Sequence, residues 1–150
     1  VDDLQVRDYC VQCKKPVTDC AKHEHQIRHS VLADDVMLGI VDRLYDLGIA
    51  TVMAICTFNR TGSAPDINHP GIIIQLSEQV TYEMLGELPA GWAYGWKDGK
   101  VFSLDFNDWC TYIDISEAMT RINAVVGEFE AYLDTRDAEG TRAIMLLTAD

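Results

Sequence analysis

Between Cys10 and His23 the chain reads Cys-Val-Gln-Cys-Lys-Lys-Pro-Val-Thr-Asp-Cys-Ala-Lys-His, a C-x2-C-x6-C-x2-H spacing. Thiolate and imidazole are the donors zinc takes in tetrahedral sites, and a two-residue gap lets one turn aim the sulfurs of Cys10 and Cys13 at a single point. Cys20 and His23 can complete the set in the same way. His25 and His29 are alternates for the fourth position, because an imidazole reaches a metal through either nitrogen and spacing does not rank three neighbouring histidines. Four protein ligands close the coordination sphere, so the expected Zn2+ is structural rather than catalytic. The other chemistry open to Cys10 and Cys13 is that of a dithiol redox pair or of plain buried thiols.

A second stretch with chemical content runs from Cys56 to His69 and carries Asn59, Arg60, Thr61, Ser63, Asp66 and Asn68. As a nucleophile, Cys56 would need His69 as base and a cation such as Arg60 to lower its pKa. Its upstream neighbours are apolar, which raises a thiol pKa, so a buried structural cysteine is the plainer reading. Arg60, Thr61, Gly62 and Ser63 suit an anion, yet the chain has neither a P-loop nor a Gly-x-Gly-x-x-Gly fingerprint. The Cys56-to-Arg60 spacing is also too short for the phosphate-cradling loop of phosphotyrosine phosphatases. Asp105, Asp108 and Asp114 invite an acid/base or Mg2+ reading, but 24 acids in 150 residues bring carboxylates together by chance.

These residues need elements to position them. Ala33, Val36, Met37, Ile40, Val41, Leu44 and Leu47 recur at helical spacing, with Asp34 and Asp35 in the first turn and Gly48 to end the helix. Ile49 to Phe58 predicts a central strand buried on both faces. Asn59 to Pro70 reads as the longest loop, Gly71 to Leu76 as a short strand, and Ser77 to about Glu87 as a helix. Trp92 to Trp96 and Val101 to Phe106 flank Asp98-Gly99, a hairpin pattern that puts Trp92, Tyr94 and Trp96 on one face, with 109–113 extending the sheet. Asp114, with Glu117 three residues on, caps a helix whose stripe runs from Ile115 to Tyr132. Residues 142–149 fit a last helix or an edge strand, the helix being favoured.

The expected fold is α+β: a mostly antiparallel sheet of four to five strands with two to four helices packed on it, plus the N-terminal zinc knuckle. Residues 1–30 form the zinc-knuckle segment and 31–150 the α+β domain of one compact unit. No apolar run is long enough to span a bilayer, and the first residues do not resemble a secretory signal. The start at Val1 rather than Met is what removal of a leader or of further residues leaves. Cys56 and Cys110 stand apart from the cluster, which favours free thiols in a reducing, cytoplasmic setting over a disulfide framework.

The formal charge of -12 is uneven. Residues 1–30 carry five Lys/Arg against five Asp/Glu, and residues 71–150 carry five against fourteen. An acidic body disfavours general binding to phosphate backbones and suits a basic protein partner. Nucleic acid is left with one local route, through Lys14, Lys15 and Lys22. The passage from Leu44 to Cys56 resembles the helix, glycine, threonine and cysteine-ended strand of several small phage and bacterial proteins of unknown function, and that resemblance implies an accessory protein of such origin. The function expected is that of a small, acidic, zinc-stabilised protein that binds a protein partner. The alternatives are a hydrolase or transferase using Cys56, Arg60 and His69 on an anionic substrate, and a local nucleic-acid contact through the knuckle.

Overall fold

A computed structural model describes residues 6–19, 30–60, 66–80, 82–137, 139–141, 143 and 147. Its strands are β1 (Val6–Cys10), β2 (Lys15–Pro16), β3 (Ser30–Asp34), β4 (Thr51–Arg60), β5 (Ile67–Val80), β6 (Trp92–Lys97), β7 (Lys100–Asn107) and β8 (Thr111–Tyr112). Among the described residues the helices with assigned bounds are α1 (Leu38–Asp46), the single turn α2 (Tyr82–Leu85) and the long α3 (Ile115–Asp134), and 139–141, 143 and 147 are helical as well. The α+β class and the mostly antiparallel sheet agree with the sequence, but the strand number does not. The sheet has eight strands in the order β2-β1-β3-β4-β5-β7-β6, with β8 also paired to β5.

The extra strands come largely from the N-terminal segment. β1 forms a hairpin with β2 and pairs antiparallel with β3, so the N-terminal segment belongs to the same sheet as the rest. Ser30–Asp34, expected as the start of the first helix, is this β3, and the helix begins after a 3-10 turn at Asp35–Met37. β3 and β4 run parallel, which requires the crossover that α1 supplies. β5 is fourteen residues long and takes in His69, Pro70 and 77–80, which the sequence assigned to a loop and to a helix. A register irregularity between Thr57 and Asn59 and the positive φ of His69 (49°) absorb the kink that Pro70 brings.

One face of the sheet carries the core. Ala54, Cys56, Ile72, Ile74, Leu104 and Phe106 point from it into a cluster with Ile40, Val41 and Leu44 of α1 and Ile122, Val125 and Phe129 of α3. Trp92 stacks on Phe129 at a centroid distance of 4.1 Å. Tyr94 packs on the ring of Tyr82 and its hydroxyl donates to the Gly86 carbonyl. Trp96 keeps to the expected common face, opposite Val101 and with its ring centroid 5.9 Å from that of Tyr94, but at the end of the hairpin it is 52 % exposed. Asp98 and Gly99 take φ of 52° and 77°, as a tight hairpin turn requires. Asp114 caps α3, its Oδ1 accepting the Glu117 N–H at 3.0 Å.

Candidate functional site

The β1–β2 turn holds the described half of the expected zinc knuckle. The Cys10 carbonyl accepts the Lys14 N–H at 2.8 Å, and the Cys13 N–H points at Cys10 Sγ at 3.4 Å. Lys14 has φ 58°, the left-handed conformation that lets the chain reverse directly after Cys13. Two thiols two residues apart on one turn are donors of the kind Zn2+ takes. Cys20, His23, His25 and His29 lie outside the described residues. Among the described residues, no group of three or more His, Cys, Asp or Glu side chains is placed to hold a metal ion.

The turn is docked on α1 by polar contacts. Tyr9, 4 % exposed, donates its hydroxyl to Asp42 at 2.9 Å, and Lys14 Nζ lies 3.7 Å from both Asp42 and Asp46. Burial and the Asp42 carboxylate both push the Tyr9 hydroxyl well above its ordinary pKa. Tyr45 donates to Gln12. Lys14 is therefore already engaged by acids of its own chain.

The candidates on β4 and β5 are not brought together. Cys56 is 8 % exposed, faces the helices, and has its thiol pushed up to about 12 by burial and by Asp34. Register places Cys56 opposite Ile72, while the His69 ring lies against Trp109 at 5.4 Å. The Arg60 side chain and residues 61–65 are outside the described set. Cys10, Cys56 and Cys110 are free thiols.

The three clustered aspartates separate into three settings. Asp108, 7 % exposed, is the acceptor around which the β7–β8 connection is built: it takes the Tyr112 hydroxyl at 2.6 Å, the Cys110 N–H at 2.9 Å and Arg121 Nε at 3.3 Å. Burial would raise its pKa, but these donors together hold it below the usual carboxylate value. The same carboxylate raises the exposed Cys110 thiol. Asp114 is the helix cap, and Asp105 lies on the far face of the sheet.

That far face escaped the sequence reading. Alternation along β3, β4, β5 and β7 turns Leu32, Met53, Ile55, Ile73 and Asp105 away from the helices, in register across the sheet. Leu32 is 41 % exposed and Ile73 36 %, and Val52, at an irregularity in β4, is 43 % exposed. β4 is thus buried on one face only. The missed signal lay in the two-residue alternation of Met53 with Ile55 along β4 and around Ile73 along β5, hidden by equally apolar neighbours on the core side.

Comparison with known proteins found no match to any family model, curated protein or solved structure. No helix among the described residues is long and apolar enough to cross a membrane.

Proposed function

We propose that this chain is an acidic accessory protein that holds structural Zn2+ in its N-terminal knuckle and acts by binding a protein partner rather than by catalysis. The observation that carries this reading is a sheet packed by helices on one face while the other presents Leu32 and Ile73 to solvent. Contiguous exposed apolar surface on a folded domain marks an interaction site more often than an accident of composition. The inert Cys56 thiol supports binding over thiol chemistry. In the knuckle, Cys10, Cys13, Cys20 and a histidine would hold the metal, whose chemistry is the fixing of chain geometry.

Two measurements test the reading. Elemental analysis of chain purified without chelator should return one zinc per molecule, and its absence removes the metal. Immobilised chain should retain proteins that the Leu32→Glu/Ile73→Glu variant, shown by circular dichroism to be folded, does not. Identical capture by both forms would sink the binding face.

A further inference from the structure

The chemistry of the face turned away from the helices narrows what can sit on it. Asp105 stands in register between Ile73 of β5 and Ala93 of β6, with Ile55 of β4 beyond Ile73. It is partly buried, its hydrogen-bond donor among the described residues is Ser103 Oγ at 3.3 Å, and no described Lys or Arg pairs with it. A carboxylate set into an apolar surface loses hydration without gaining a cation, and its pKa rises accordingly. A second copy packed face to face would bring acid towards acid between bodies that each carry -12. A partner that supplies a positive charge corrects both defects.

From this geometry we propose that this face docks an amphipathic helix of a partner protein, its apolar stripe on Leu32, Met53, Ile55 and Ile73 and a Lys or Arg reaching Asp105. The inference rests on the protein-binding reading above and adds the kind of partner. Four adjacent strands, β3 to β7, span about 14 Å, enough for one helix of about 10 Å diameter. The opposite face already takes helices in this way. A lysine or arginine can lay its stem on Ile73 while its charge meets the carboxylate.

The probe is a helical Leu/Lys peptide, with a Leu/Glu peptide as its counterpart, titrated into isotope-labelled full chain. The Leu/Lys peptide should shift amides around Ile55, Ile73 and Asp105, and the Leu/Glu peptide should not. Asp105→Asn should weaken the Leu/Lys complex about tenfold, the loss expected for removal of one partly desolvated charge pair. Glu128→Gln removes the same charge from the exposed side of α3 and should leave affinity within about twofold. Equal losses in the two variants, or shifts elsewhere on the molecule, would mean diffuse attraction and overturn the proposal. So would a concentration-dependent dimer abolished by Ile73→Glu, which assigns the face to a second copy. If cellular capture needs Leu32 and Ile73 but is unchanged in Asp105→Asn, protein binding stands and the basic helix falls. Capture indifferent to all three residues removes both.

Discussion

Asp34 is fully buried, and its two oxygens are treated differently. Oδ2 accepts the Cys56 N–H at 2.7 Å, while Oδ1 has no partner among the described residues. Burial raises the Asp34 pKa above its ordinary 3.8, against the pull of the Cys56 N–H. A carboxyl with a raised folded pKa contributes most below its unfolded value, and that contribution is lost as pH rises through the folded one. Asp34→Asn should therefore gain about 1 kcal/mol over wild type at neutral pH, with the gain shrinking towards pH 4, as read from paired denaturation curves. Asp108 has the opposite sign. Its folded pKa is lowered, so its contribution is present above the unfolded value and is lost on acidification. Asp108→Ala strands Tyr112 and Arg121 and should cost about 2 kcal/mol at pH 7 in the same assay. Thiol labelling makes a further residue-scale test: native chain should react at Cys110, which is exposed, and leave Cys56 untouched until unfolding. Rapid labelling of Cys56 in the native state would restore the enzymatic alternative.

Elements with local signals were legible in the sequence. The Asp98-Gly99 turn and the Asp114 cap each carry their instruction within four residues, so the β6–β7 hairpin and α3 fall where periodicity puts them. Asp114→Ala should accordingly cost about 1 kcal/mol, measured by thermal denaturation, because it removes the acceptor for the Glu117 N–H. Where pairing is long-range, the sequence is ambiguous. Ala33, Val36, Met37 and Ile40 fit a helical repeat, while Val31 and Ala33 fit a strand, and pairing with β1 decides in favour of β3. The single-turn α2 and the long β5 divide a stretch that local propensity would give to one helix, since 77–80 joins the sheet and Val80 pairs with Val101. The candidate site was legible in half. Cys10 and Cys13 stand out by spacing and lie on one turn, while Cys20 and the candidate histidines lie outside the described residues. The far face was not legible, because exposure of Leu32 and Ile73 depends on which side the helices choose, and that choice is made by the whole sheet.

At the scale of the molecule, the first hairpin is fastened to the body by β1–β3 pairing, by Tyr9 on Asp42, and by Arg7, whose Nε lies 2.7 Å from Asp35. Zinc in the knuckle would make that hairpin rigid, so chelation should lower the melting temperature by about 5–10 °C, a few kcal/mol for a chain of this size. Cys13→Ser should show the same loss and no further response to chelator. An unchanged melting curve in both would leave the hairpin held by its pairing and side chains. The hairpin also determines how the sheet ends. β2 is two residues long, one of them a proline with no N–H to offer, and the other a lysine, which makes a poor template for a foreign strand. Strip the hairpin away by proteolysis, and among the described residues the outer rim becomes Ser30–Asp34, five extended residues. The β1–β2 hairpin then acts as a guard against polymerisation, and chains clipped ahead of Ser30 should cluster into β-rich aggregates at concentrations where the intact protein stays dispersed.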